Sequence, residues 1–343
     1  MKKRFGNFAL FLFLIFGLVG CNQSEGTSGE SDSNSEGASN DGGEPLEISV
    51  IIKATDSGFW QTVLQGAKAA EEELGNKVKI TTDGPPSEAD IDEQVAILEN
   101  TVTRQPDGIV IASTSSDATV PAIENAMSQD IPVVLVDNKV NTENFTSFLA
   151  TDNLVGGALA ADKLVEQLKA QGKELKGKVG VISSMAGVKV LEDRDQGFID
   201  RMAEIAPDIE LLKTRYVDND ISKALSAAQD IITSNPDVLG FFADNNHTGI
   251  GVGRAVTEQG LAEDIPVVAY DADEEQINSL KAGAIDVLIV QDPFGMGYQG
   301  VLNVIDSIEG KEVEKTVDTG VTAVSMENFE EEDIQKLLYP EKR

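Results

Sequence analysis

The sequence predicts an α/β protein of two similar halves, each a doubly wound sheet of parallel strands, and three observations carry that prediction. One stretch occurs twice: Ile131-Pro132-Val133-Val134-Leu135-Val136-Asp137 returns as Ile265-Pro266-Val267-Val268-Ala269-Tyr270-Asp271. Each copy follows another matched pair, Pro106-Asp107 before Ile109-Val110-Ile111-Ala112 and Pro236-Asp237 before Leu239-Gly240-Phe241-Phe242-Ala243. The apolar runs do not alternate with polar residues, which is how parallel strands look when helices cover both faces. Such strands, separated by helical stretches, build a doubly wound sheet.

The elements follow in order. Leu46 to Ile52 reads as a strand, and Gly58 to Leu74 as a helix with Phe59, Val63, Gly66, Ala67 and Ala70 at helical spacing. Val78 to Thr81, Gly108 to Ala112 and Val133 to Val136 are strands; Ser87 to Arg104 and Thr119 to Gln129 are helices. Phe148 to Asn153 leads into a long helix ending near Gln171, for which Asp152 is a suitable cap. The second series has strands over Lys178 to Ile182, Ile209 to Val217, Val238 to Phe242, Val267 to Tyr270 and Ala284 to Val290. Its helices run over Val190 to Ile205, Ile221 to Thr233, Thr248 to Gln259 and Glu274 to Ala282. Pro293 fits the first turn of a helix to about Ile308, Val317 to Val324 reads as a last strand, and Glu330 to Leu338 as a final helix.

An Asp directly after a buried strand lies at its carboxyl end, the edge where ligands bind in open α/β sheets. Asp137 or Asp271 alone serves equally as a helix cap or turn former. Their duplication favours two carboxylates facing one another across a cleft.

The chain has 343 residues, 41% of them hydrophobic, which suffices for two domains of roughly 150 residues each. A net charge of -32 repels phosphate backbones, so nucleic acid is excluded as a partner. Met1 to Gly20 has the form of a secretory signal: Lys2-Lys3-Arg4, apolar Phe8 to Phe16, then small residues. Leu18-Val19-Gly20-Cys21 resembles a bacterial lipobox, which implies a lipidated Cys21 at the head of the mature chain. Cys21 is the single cysteine, so no disulfide framework exists. The following stretch, to residue 45, is Ser, Gly, Asn, Glu and Asp with almost nothing apolar, the composition of a disordered linker.

The mature chain from Leu46 to Leu338 resembles the ribose-binding-protein group of periplasmic binding proteins, the sugar receptors of ABC importers. The resemblance rests on Ile51-Ile52-Lys53-Ala54-Thr55-Asp56-Ser57-Gly58-Phe59-Trp60, Val136-Asp137, Ala150-Thr151-Asp152-Asn153, Asp193-Arg194-Asp195-Gln196-Gly197-Phe198, Phe242-Ala243-Asp244-Asn245, Ala269-Tyr270-Asp271 and Val290-Gln291-Asp292. It implies two Rossmann-like lobes of the type I periplasmic-binding-protein fold, joined by three hinge crossings near Thr151, Gln291 and Asp318. The lobes would then comprise 46–151 with 292–318, and 152–291 with 319–343.

The resemblance also implies a ligand set. Phe59 and Trp60 would cover the apolar face of a sugar, with Ser57 beside them. Asp137 and Asp271 would accept hydroxyl hydrogen bonds, Arg194 would donate, and Asn245 and Gln291 would do both. Lys53 departs from the ribose pattern and is similar to allose-type receptors; Asn138 stands where the ribose type has an Arg, and Asn219 where an aromatic often covers the other sugar face. Asp137 and Asp271 balance Lys53 and Arg194, so a neutral monosaccharide is expected rather than a sugar acid, phosphate or amine.

The expected protein is therefore no enzyme and needs no cofactor or metal. His247 is the only histidine, so neither a Ser-His-Asp set nor a His metal cluster assembles. Gly249-Ile250-Gly251-Val252-Gly253-Arg254 lacks the third glycine of a dinucleotide fingerprint and falls inside a helix, where small residues serve close packing. A sugar-responsive repressor would need a basic helix-turn-helix at the amino end. The expected partners are a monosaccharide, the transmembrane subunits of an ABC permease and the membrane through the lipid, with the chain a monomer outside the cytoplasm. The alternative is a receptor that presents a sugar-like signal, such as a furanosyl autoinducer, to a sensor kinase or chemoreceptor.

Overall fold

The computed structural model describes residues 44–343. The signal peptide expected over 1–20, the lipidated Cys21 and nearly all of the linker lie outside the described residues.

The first half runs β1 (Leu46–Ile51), α1 (Gly58–Leu74), β2 (Val78–Asp83), α2 (Ile91–Arg104), β3 (Gly108–Ile111), α3 (Val120–Ser128), β4 (Val133–Val136) and β5 (Ser147–Ala150). The second begins with α4 (Asn153–Ala170), β6 (Gly177–Ser183), α5 (Lys189–Ile205), β7 (Ile209–Leu211), β8 (Arg215–Tyr216), α6 (Ile221–Ser234) and β9 (Val238–Ala243). It continues through α7 (Asn246–Glu258), β10 (Val267–Tyr270), α8 (Glu274–Lys281) and β11 (Val287–Val290). The chain then adds α9 (Pro293–Ile308), β12 (Thr316–Asp318), β13 (Thr322–Val324) and α10 (Glu332–Leu338).

Two separate sheets result, ordered β12-β5-β4-β3-β1-β2 and β13-β11-β10-β9-β6-β7, with β8 also pairing β6. The orders superimpose strand for strand: β4 holds the place of β10, β3 that of β9, and β1 that of β6. Pairing is parallel except between β13 and β11. The central strands β3, β4, β10 and β11 are buried along their whole length, as their uninterrupted apolar runs require.

The helix after Pro293 returns to the first sheet, where Met296, Val301, Val304 and Ile305 pack with Ile48, Val50, Val110 and Val134. In the second lobe α4 and α5 meet backbone to backbone. A Cβ on Gly157 would lie 2.1 Å from the carbonyl oxygen of Arg194, and one on Gly197 would lie 2.2 Å from that of Leu154. Only glycine permits this approach, and it brings the helix bearing Arg194 against the start of α4.

The structure corrects several sequence expectations. Val317 to Val324 is not one strand but two in different sheets, because Gly320 adopts φ 77°, a left-handed turn through which a strand cannot run. Ile209 to Val217 likewise divides into β7 and β8, which pair opposite ends of β6. β5, which the sequence pattern marks only as the lead into α4, pairs both β4 and β12. The expected Ser87 start of α2 moves to Ile91, and the expected Ala284 start of β11 moves to Val287.

Candidate functional site

The two strand-tip acids are built alike. Asp137 follows β4 at φ 65° and donates its N–H to Leu149 O on β5 at 2.8 Å. Asp271 follows β10 at φ 71° and donates its N–H to Ile289 O on β11 at 2.9 Å. A left-handed residue ends each strand abruptly, and Asp tolerates that conformation better than most residues because its side chain is short and polar. Both carboxylates line one small cavity between the lobes, about 30 Å³ in volume.

Each acid meets a different partner. Lys53, two residues past β1, is buried and places Nζ 2.6 Å from Asp137 Oδ2. The same ammonium lies 5.3 Å from the Trp60 ring centroid. Asp271 Oδ1 accepts from Gln291 Nε2 at 2.7 Å. Burial pushes the Asp271 carboxyl up, Arg194 and Gln291 pull it down, and it titrates at about 6.

Arg194 joins the lobes electrostatically. Its Nε donates to Asn153 Oδ1 at 2.8 Å and its Nη1 to Asp244 O at 2.9 Å, while the guanidinium lies 4.2 Å from the Tyr270 ring centroid. Nη2 is 4.0 Å from Asp137 Oδ1 on the opposite lobe. Burial opposes its charge, but Asp271 foremost, then Tyr270, Asp137 and Asp244, outweigh burial and raise its pKa. It is therefore a fixed cation aimed at both strand tips, and it does not pair with Asp193, which is bound by Lys189.

The cavity gathers Lys53, Ser57, Phe59, Trp60, Asp137, Arg194, Asn245, Asp271 and Gln291, all named from the sequence. Asn245 both lines it and caps α7, accepting from Thr248 N at 2.9 Å. Among the described residues, the buried Gln291 Oε1 has no hydrogen-bond partner. A protein leaves such an atom bare only at a cost of about 1–3 kcal/mol, which a ligand hydroxyl would offset.

Two expected residues are absent from the lining. Asn138 is wholly buried, its Nδ2 donating to Ser113 O just past the end of β3 at 3.0 Å. Asn219 lies one layer back, its Oδ1 accepting from Asn245 Nδ2 at 2.7 Å and from Ser184 Oγ at 2.9 Å. It orients Asn245 rather than covering a ligand. The apolar cover on the second lobe comes instead from Val188, Val190 and Leu191.

Sequence reasoning missed Glu88 and Asn246, which also line the cavity. Glu88 accepts from Trp60 Nε1 at 2.6 Å, fixing the indole. The expected charge sum of zero is thereby corrected: three carboxylates against two cations leave a formal -1, with the extra charge at the half-exposed lip. Nothing near Glu88 in the sequence marks it; the Trp60 N–H, which requires an acceptor when buried, was the available signal. Among the described residues, no three His, Cys, Asp or Glu side chains converge in a way that could hold a metal ion.

A family model described as the periplasmic binding protein domain matches residues 48–312. The chain belongs to that family. Family membership puts this periplasmic binding protein outside the cytoplasm. It is 37% identical to a carbohydrate transporter solute binding protein from Agrobacterium radiobacter, crystallised in complex with D-arabinose; the match has a TM-score of 0.82 and covers 86% of this chain and 99% of the other. An ABC transporter solute binding protein from Agrobacterium vitis with bound D-fucose is 33% identical, with a TM-score of 0.81 over 85% of this chain and all of the other, 100%. The ribose import binding protein of Haemophilus influenzae is 26% identical over 278 residues, 81% of this chain and 91% of that one. The two crystallised proteins share this fold, and the names of all three are those of transporter solute-binding or sugar-import binding proteins.

Proposed function

We propose that this chain captures a neutral monosaccharide between its lobes and delivers it to an ABC-type sugar importer. One observation carries the reading. Twin acidic strand tips from separate lobes line a single cavity with a guanidinium, an ammonium, three amides and two aromatic rings. Sugar hydroxyls both donate and accept, and their C–H faces stack on flat rings, so this mixture is what a sugar needs. The surplus carboxylate at Glu88 further disfavours sugar acids and phosphates. Hydrogen bonds to charged groups contribute ~1.5–3 kcal/mol each, so a few suffice for the about -8 kcal/mol of micromolar affinity.

The mechanism is hinge closure. A ligand that bonds Asp137 on one lobe and Asp271 on the other interacts better with the closed state and shifts the population toward it. The lobes comprise 46–151 with 292–318 and 152–291 with 319–343, and the site residues are those gathered in the cavity. Trp60 is the only tryptophan, so titration with D-ribose, D-allose, D-arabinose and D-fucose reads binding directly. A saturable fluorescence change with at least one supports the reading; silence in both fluorescence and calorimetry across the panel overturns it.

The monomeric chain is held at the membrane by a lipid on Cys21 after removal of the signal peptide 1–20. The lipobox-like Leu18-Val19-Gly20-Cys21 motivates this. Cys21→Ser should move the protein from the membrane fraction to the soluble one; unchanged fractionation removes the lipid from the account.

A further inference from the structure

The start of α1 breaks two local rules. Ser57 occupies its N-cap, yet the hydroxyl makes no bond to the helix, although such a cap contributes typically about 1 kcal/mol. Gly58 follows as the first helical residue, where almost any other residue favours a helix more. Both departures have one explanation across the cleft. Asn246, the first residue of α7 in the second lobe, donates from Nδ2 to Ser57 Oγ at 3.0 Å and to Asp273 Oδ2 at 3.2 Å. Asp273 is itself held as the cap of α8 by a reciprocal bond with Gln276. A Cβ on Gly58 would lie 2.8 Å from the Cβ of Asp273, so only glycine lets α1 come this close to α8. Ser57 and Asn246 are both buried.

We propose that Asn246 is a positioning residue, a latch that fastens the first turn of α1 to the second lobe and thereby holds Phe59 and Trp60 over the bound ligand. The proposal rests on the sugar-capture reading of the same cleft. The two aromatic residues directly follow Gly58, so whatever fixes this turn fixes their approach to the cavity they line. Ser57 belongs to one lobe and Asn246 with Asp273 to the other, so the bond exists only when the lobes are together. The bond itself lowers the free energy of the closed state, so its loss acts on release rather than on capture.

The test uses the full chain, stopped-flow Trp60 fluorescence, and whichever sugar of the four-member panel above binds best. Asn246→Ala and Gly58→Ala should each raise the dissociation rate about tenfold, equivalent to about 1.4 kcal/mol, and Gly58→Ala, which removes no group that lines the cavity, should leave the association rate within about twofold. Gly58→Ala separates the latch from folding, because alanine favours the helix and the thermal midpoint of the ligand-free protein should not fall. Unchanged dissociation in both variants overturns the proposal, as does slowed association with unaltered dissociation. If no sugar binds the wild-type protein, the capture reading fails, and the latch is tested without ligand. In a Cys21→Ser background, Ser57→Cys with Asn246→Cys should crosslink through a short bismaleimide; absence of crosslinking refutes the latch itself.

Discussion

The two acidic strand tips occupy the same place in duplicated sheets and take the same left-handed turn, yet their charges are managed in opposite ways. Asp137 is locked to the buried Lys53. Asp271 has no lysine: strand register puts Ser184 in the second sheet where Lys53 stands in the first. Its support is the Gln291 amide and the field of Arg194, so burial wins and the carboxyl titrates at about 6. The first lobe thus presents a preformed ion pair, while the second presents a carboxylate whose charge is marginal until a donor arrives. The repeated sheet order sets the shared geometry; residues at neighbouring strand ends and helices set the electrostatics.

The largest effect expected from this contrast is on stability. Lys53→Met leaves Asp137 buried without its partner, and breaking a buried pair from one side costs about 3–5 kcal/mol. Denaturant unfolding should show that loss; a decrease below about 1 kcal/mol would mean Asp137 does not depend on Lys53. Asp271→Ala is the next, and it acts on binding. Calorimetric affinity for the best sugar of the panel should fall at least about tenfold, or about 1.4 kcal/mol, and an unchanged value would remove Asp271 from the site.

The smallest effect is on pH, and its sign is opposite for binding and for folding. Accepting a hydroxyl requires the ionised Asp271, so affinity should fall about fourfold between pH 7 and pH 5.5, as expected for a group near 6. Folding goes the other way. The folded pKa lies above the ordinary 3.8, so the folded state binds the proton more tightly than the unfolded chain, and this group's contribution to stability grows as pH falls from about 6 toward 4. Asp195, raised by burial to about 6, adds in the same direction. Asp271→Asn should flatten the binding profile; a slope that persists assigns it to another group.

Much of this was readable along the chain because it is local. An unbroken apolar run can satisfy its surface only inside a covered sheet, and an Asp after the run must stand at the sheet's edge, so Val136-Asp137 and Tyr270-Asp271 announced both the fold and the two acids that line the cavity. What local pattern could not contain was which side chains meet from distant segments. Asn219 resembles a ligand residue in position, but packing sets it behind Asn245; Glu88 and Asn246 carry no mark until the buried Trp60 N–H and the Ser57 hydroxyl are seen to need partners. The same holds for 317–324, where one left-handed glycine sends consecutive strands into different sheets. Periodicity follows from the chain's own geometry, whereas partner choice follows from the requirement that every buried polar group be matched in three dimensions.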